Sequence, residues 1–420
     1  MQDAVSLHLQ KRKIYGTCRI TGSKSISNRL LIMSFLARTK NHLQNISTSD
    51  DTKRLERSLK QVKICGSSRI PMIINTANSG TVMRFLTAYL SAQPGLWHLT
   101  GLLRMRQRPV KELVEALQHL GADISYCCRE GYPPINVKGC QLKGKKVAIG
   151  SSVSSQFVSA LMLIGPCLKN GLEITMTGHV VSFPYIEMTC RLMHEFGIDC
   201  QIKKNVITIP HNTYQPKNME VEPDWSSASY WYEIVALADK AEVVLPGFKK
   251  ESIQGDRACA DIYDQLGVHT DFSSQGIILS KKPVEANALE FDFTGFPDLV
   301  PAVMATCAAK KIPAEFKGVG HLRYKESDRI EGLTRELAKV GASFKTSGDI
   351  VQMIPGNEIP KNREIIFETC ADHRLAMALA PLVLKLDQVS IDNPEVVEKS
   401  YPGFWEDLQN TGLCTVEKTG

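Results

Sequence analysis

No apolar segment in this chain reaches the roughly 18 residues that a membrane-spanning helix needs. The longest, FVSALMLIGPCL and AMALAPLVL, fall well short of it. The opening MQDAVSLHLQKRK has no apolar stretch of the secretory kind, so a cytoplasmic location without a membrane partner is expected. The 12 cysteines include no C-x-x-C pair, and in a reducing compartment most are expected to remain thiols that fill core space. An H-E-x-x-H and the Cys/His spacings of zinc sites are missing too, which leaves no metal site to predict. No block of Lys or Arg stands out: the net charge of +6 is spread along the chain, a mild bias towards anions that small phosphorylated metabolites satisfy as well as nucleic acid does.

Nucleotide and nucleophile motifs are equally scarce. A G-x-G-x-x-G is absent. GCQLKGKK has the spacing of a phosphate loop, but Lys146 stands where Ser or Thr would hold Mg2+, and no helix pattern follows. SSVSSQ lacks the glycine framing of a nucleophile elbow, so Ser154 and Ser155 read as hydrogen-bonding residues.

What the chain does have is length and repetition. Its 420 residues, 43% apolar and 22% charged, predict a folded protein of two or more domains. An amphipathic helix, a Gly and a strand-like run recur in LVEALQHLGADISY, MTCRLMHEFGIDCQI, ADIYDQLGVHTDF, LTRELAKVGASFK and FWEDLQNTGLCTV. The glycines fall at 121, 197, 267, 341 and 412, a period near seventy, and each suits the left-handed turn that ends a helix. TKRLERSLKQVKICG is an earlier variant of the pattern. Ahead of each lies a second helix that is apolar nearly all round, such as VMRFLTAYL or LVPAVMATCAA, and such a helix belongs inside a core. The expected fold is α/β (α+β), with six units in two groups of three, sheets covering the buried helices, and a crossover close to Asp224.

Each buried helix opens on polar residues: GSKSISNR, ANSGTVMR, SVSSQF, PDWSSAS, GFPDLV and CADHRL. Free N–H groups at converging helix starts would bind phosphates and carboxylates, although Ser and Asp also serve as ordinary caps. Capping does not account for Lys24, Arg29 and Arg84, since cations are unfavourable at a helix start unless an anion joins them. In RYKESDR the spacing predicts a helix with Lys325, Glu326 and Arg329 on one face, either a site or a solvated salt-bridge face. In RMRQRPVKEL, Pro109 suits helix position N1, so Arg108 would project from a helix start or lie in an exposed basic loop.

Taken in order, GSKSISNR, NSGTVMR, RMRQRP, SVSSQF, VSFPYIEMT, QGD, KESDR, ADHR and EKSYPGF resemble the enolpyruvyl transferase family, and within it the 5-enolpyruvylshikimate-3-phosphate synthases, over nearly the whole chain. The resemblance implies a two-domain inside-out α/β barrel, with residues 1–22 and 224–420 forming one domain and 23–223 inserted as the other. It implies transfer of the enolpyruvyl group of phosphoenolpyruvate to the 5-hydroxyl of shikimate 3-phosphate by a monomer, with no metal, organic cofactor or nucleic acid. Carried over by motif, Lys24, Arg108 and Lys399 would hold the phosphate of phosphoenolpyruvate, and Arg329 and Arg374 its carboxylate. Asn78, Gly80, Thr81 and Gln156 would line the same substrate. Lys24, Ser25, Arg29, Ser154, Ser155, Gln156, Ser182, Tyr185, Asp298 and Lys325 would contact shikimate 3-phosphate. Glu326 would protonate the methylene carbon, Asp298 would accept the hydroxyl proton, and Lys24 would balance charge on the phosphate.

The chain departs from the family pattern at Thr21, Ala77, Phe85 and His321, where Pro, Gly, Pro and Asn are expected. The retained Gly80 implies sensitivity to the phosphoenolpyruvate competitor glyphosate. Three other readings compete. A UDP-N-acetylglucosamine enolpyruvyl transferase would need a loop cysteine that RMRQRP lacks. An RNA 3'-phosphate cyclase would use a His such as His373 but leave KESDR unemployed. A plain anion-binding scaffold would not need Asp298 and Glu326 among so many cations.

Overall fold

The computed structural model describes residues 3–37, 42–65, 70–150, 154–284, 287–356 and 364–419. Ser152 and Val153 of SVSSQF, and Gly66 after the early amphipathic helix, lie outside them. The chain divides into two compact units, Ser23–Val221 and Met1–Gly22 with Glu222–Gly420.

In the smaller unit the apolar segments form helices Lys24–Ala37, Gly80–Ser91 and Ser155–Ile164. Every residue of the Gly80 helix except Thr81 is buried, as a helix with no polar face requires. Amphipathic helices follow: Asp50–Cys65, Lys111–His119, which buries only Leu113, Val114, Ala116 and Leu117, and Phe183–Glu195. Two four-stranded sheets run Met72–Asn75, Gly95–Thr100, Ile135–Gly139, Asp123–Tyr126 and Lys146–Gly150, Leu172–Thr177, Val206–Ile209, Gln201–Lys203. Strands Leu43–Gln44 and Met219–Glu220 make a short parallel pair.

The larger unit repeats the scheme around helices Trp225–Leu237, Val300–Lys310 and His373–Leu379, in which Ser226 and Lys310 are the sole residues not buried. Its sheets run Lys13–Thr17, Lys240–Pro246, Gly276–Lys281, Val268–Ser273; Leu289–Asp292, Ala314–Lys317, Ile350–Ile354, Ser343–Ser347; and Ile365–Phe367, Gln388–Asp392, Ala4–Leu9, Cys414–Thr419.

All five four-stranded sheets share one order of senses: a parallel pair, then two antiparallel pairings. A parallel pair cannot be joined by a tight turn and needs a crossover. In all five sheets the buried helix, or the His373 helix with its continuation, lies between the two parallel strands in sequence, and between Lys13–Thr17 and Lys240–Pro246 the smaller unit is inserted as well. In four sheets both antiparallel strands follow the amphipathic helix, and in the fifth Cys414–Thr419 follows it while Ala4–Leu9 precedes it; the end of each of these helices is marked by the recurrent glycine. Gly121, Gly197, Gly267, Gly341 and Gly412 all have positive φ, from +69° to +97°. No sheet among the described residues closes into a barrel. No helix among them is long and apolar enough to cross a membrane.

Candidate active site

In the smaller unit, Ser79 caps the Gly80 helix by accepting from the Val82 amide, and Ser154 caps the next by accepting from that of Gln156. Between these helix starts Arg84 donates to Gln156 Oε1 at 2.8 Å and to the Pro109 carbonyl at 3.0 Å, while Gln156 donates to Thr81 Oγ1. Arg108 donates to the Asn78 carbonyl. A Cβ on Gly80 would sit 2.2 Å from Arg84 Nη1 and 2.6 Å from Arg108 Nη2, so the glycine makes room for two guanidinium groups side by side. Arg108 is buried, which removes the exposed-loop reading. It also does not project from a helix start: it ends the 3-10 turn Met105–Gln107, and the following helix begins at Lys111 with Val110 as its cap.

Arg29 lies one turn into the first helix, buried. Its Nε donates to Thr189 Oγ1 at 2.7 Å, and Nη1 and Nη2 reach the Ser25 and Tyr185 carbonyls and Ser159 Oγ. It also packs near the rings of Phe85 and Tyr185. All these acceptors are neutral. Burial draws its pKa down to about 10, which leaves it charged at neutral pH. Ser182 begins the Phe183 helix in a left-handed conformation, φ +57°, and is buried. Lys24 differs, because Asp51 stands 3.5 Å away and partly relieves the conflict between this cation and its helix start. Two of the departures find a setting here. Phe85 forms one wall for Arg29, and Ala77 adopts φ +48°, a region where glycine is at ease and other residues are strained by about 1–2 kcal/mol.

In the larger unit the charged residues gather around Arg329, which is 1% exposed. Its Nε donates to Asp372 Oδ2 at 2.8 Å, Nη1 to Asp298 Oδ1 at 3.0 Å and Nη2 to Glu326 Oε2 at 3.0 Å. Burial works against its charge, but Asp372, Glu326 and Asp298 outweigh that and raise its pKa. Arg374 Nη2 takes the other oxygen of Asp298 at 2.6 Å, with longer contacts of 3.4 Å to the Tyr230 hydroxyl and the Asp298 carbonyl. Lys399, at the end of the 3-10 turn Pro394–Lys399, brings Nζ to 3.8 Å from Glu326 Oε1. Asp298, Glu326, Arg329, Arg374 and Lys399 thus form one network, in which the carboxylate held by both arginines is that of Asp298.

The KESDR segment is not one helix face. Lys325 is extended, and Asp328 caps a helix that begins only at Arg329 by accepting from the Glu331 amide. The solvated-face alternative falls with the burial of Arg329. Lys325 is half-buried on the strand-like side of that cap.

Sequence reasoning missed Asp372. It is fully buried, caps the His373 helix through the Arg374 amide, and holds Arg329 and Ser327. Its place in ADHR, next to a helix start rich in cations, was the available signal. Asp256 of QGD was missed as well: it accepts from Ser226, and burial together with Asp298 raises its pKa to about 7. His321 is buried with no hydrogen-bond partner for either ring nitrogen among the described residues, and burial with the nearby charge of Lys325 lowers its pKa to about 3. It is neutral at physiological pH. No group of three or more metal-type side chains suited to an ion occurs among the described residues.

A protein-family model for EPSP synthase (3-phosphoshikimate 1-carboxyvinyltransferase) matches residues 9–408. The 3-phosphoshikimate 1-carboxyvinyltransferase of Bacteroides fragilis strain YCH46 is 41% identical over 402 residues, 96% of each chain. That of Pasteurella multocida strain Pm70 is 34% identical over 97% of this chain and 98% of its own. Among solved structures, an EPSP synthase from Acinetobacter baumannii superimposes with a TM-score of 0.78 over 100% of both chains at 23% identity, a likeness of fold. With the family model spanning nearly all of the chain, and relatives of that name above 30% identity over almost its full length, this chain belongs to the EPSP synthase family.

Proposed function

We propose that this chain transfers the carboxyvinyl group of phosphoenolpyruvate to the 5-hydroxyl of 3-phosphoshikimate and releases phosphate. The observation that carries the reading is the network in which two carboxylates, Asp298 and Glu326, are held by Arg329, Arg374 and Lys399, because addition and elimination need a base and an acid beside anion-binding cations. In the addition, Asp298 takes the hydroxyl proton as the oxygen attacks the substituted vinyl carbon, and Glu326 gives a proton to the methylene. In the elimination, a proton returns from the methyl carbon to Glu326 and the C–O bond to phosphate breaks.

Arg329 and Arg374 hold the carboxylate of phosphoenolpyruvate, a planar anion suited to guanidinium pairs. That arriving charge offsets the positive field on Glu326 and favours the protonated form that the first step requires. Lys24, Arg108 and Lys399 take the phosphate, with Asn78, Gly80, Thr81 and Gln156 beside it. Ser25, Arg29, Ser154, Ser155, Ser182, Tyr185, Asp298 and Lys325 hold 3-phosphoshikimate, with Lys24 and Gln156 shared between the two substrates. Arg29 supports its part of this assignment, being a buried charge whose contacts are all neutral. The family's six-unit architecture is part of the same reading, supported by the shared order of sheet senses and the period of the glycines.

The test is to mix the protein with both substrates and follow phosphate. Release that requires both supports the transfer; release from neither, or an equal response with UDP-N-acetylglucosamine in place of 3-phosphoshikimate, overturns it.

A further inference from the structure

The smaller unit holds a hollow that the transfer reaction does not use. About 320 Å³ in volume, it lies between helix Lys111–His119, which lines it with Glu112, Glu115 and His119, and residues 147–150 of strand Lys146–Gly150. That is room for a small organic molecule and more than one ion needs. The acid that matters is Glu112. Oε2 of this half-buried side chain is cut off from solvent and has no hydrogen-bond partner among the described residues. A desolvated carboxylate oxygen without a donor is costly to leave so. Glu115, by contrast, has Lys111 Nζ at 3.6 Å, and Lys146 is taken by Glu173 at 2.9 Å.

The strand supplies further acceptors. It ends its sheet and pairs only with Leu172–Thr177. The Glu173 amide donates to the carbonyl of Lys145 and Thr177 Oγ1 to that of Ile149, so the odd-numbered residues face this neighbour. By alternation, Lys146, Ala148 and Gly150 turn their carbonyls to the open edge. Gly150 also stands close to the acid: a Cβ there would lie 3.9 Å from Glu112 Cγ. Val147 and Ile149, both buried, give the hollow an apolar lining.

We propose that this hollow binds a small alkylguanidinium, with its planar cation on Glu112 and its stem against Val147 and Ile149. Guanidinium fits better than ammonium for two reasons. Its five N–H donors lie in one plane, so two can pair with a carboxylate while others reach acceptors at the side. It is also more weakly hydrated, which lowers the cost of entering a half-enclosed site.

The experiment titrates n-butylguanidinium chloride into the full chain by calorimetry, with n-butylammonium, tetramethylammonium and n-butanol as comparisons, and follows Ile149 by methyl NMR. One site with a Kd of about 1 mM or below is expected, with weaker binding of butylammonium and no saturation by the two probes that lack a cationic N–H. The Ile149 methyl should shift with the same Kd. Glu112→Gln should weaken binding about tenfold or more, the effect of losing a charged hydrogen bond. Gly150→Val fills the hollow while leaving the acid in place; it should abolish binding, and it decides the question if Glu112→Gln does not fold. No saturation at about 10 mM, the natural affinity in either variant, an unmoved Ile149 methyl, or butanol or tetramethylammonium binding as tightly would each overturn the site. Tighter binding of butylammonium than of butylguanidinium would overturn the ligand class. None of these readings depends on phosphate release, so the transferase reading stands or falls separately.

Discussion

Glu326 is the residue on which the proposed chemistry turns, and its two cationic neighbours make the effect of neutralising it readable. Glu326→Gln keeps a hydrogen-bond acceptor for Arg329 but cannot exchange a proton with carbon. Turnover should fall about 10²- to 10⁴-fold while both substrates still bind by calorimetry; near-normal turnover would remove the role. Gly80 makes a different point. Because a methyl there collides with the mobile ends of Arg84 and Arg108 and not with backbone, Gly80→Ala should fold and instead displace the two guanidiniums. KM for phosphoenolpyruvate should rise about tenfold or more, as for loss of one charged hydrogen bond. Glyphosate, which inhibits the natural chain at millimolar concentration in the same expectation, should weaken in parallel. Glu233 lies wholly buried in the Trp225 helix with no partner for either oxygen among the described residues, and burial raises its pKa well above the ordinary value. A carboxyl held neutral in the fold costs nothing below its unfolded pKa and destabilises increasingly as pH rises above it, until the folded pKa is reached. Urea unfolding of Glu233→Gln should therefore show a stability advantage over the natural chain that grows from pH 5 to pH 8, by up to about 1.4 kcal/mol per pH unit.

At the scale of elements, the recurrent glycine is a conformational requirement. A Cβ at Gly121 would meet only the Lys143 nitrogen, at 3.9 Å, so the site has space, yet its φ of +97° disfavours any other residue. Gly121→Ala should lower stability by about 1–2 kcal/mol in denaturant titration, with no loss in core packing. These glycines and the six apolar helices were legible in the chain because helix-wide hydrophobicity and helix termination are local signals. The site was legible as a set of motifs and illegible as a set of contacts. Arg29 is held by Ser159 and Thr189, 130 and 160 residues away, and nothing near Arg29 announces them. Spacing alone placed Lys325, Glu326 and Arg329 on one helix; Asp328 prevents this by capping the chain just before Arg329. Asp372 went unnoticed because a capping aspartate is so ordinary, although here the cap also anchors a buried arginine.

For the whole molecule, the smaller unit is one uninterrupted stretch with its own helices and sheets, and the larger is assembled from two pieces of chain. Residues 23–221 produced alone should therefore fold, giving cooperative unfolding and dispersed amide resonances. Residues 222–420 alone lack the strands Ala4–Leu9 and Lys13–Thr17 and should not. Ala4–Leu9 lies in the interior of its sheet, antiparallel to Gln388–Asp392 on one side and to Cys414–Thr419 on the other. On the ribosome, that strand thus waits with both edges bare until its partners appear more than 370 residues later. Nascent chains would expose that ribbon throughout translation, making its shielding by a holdase, and not the assembly of the autonomous insert, the step that governs yield.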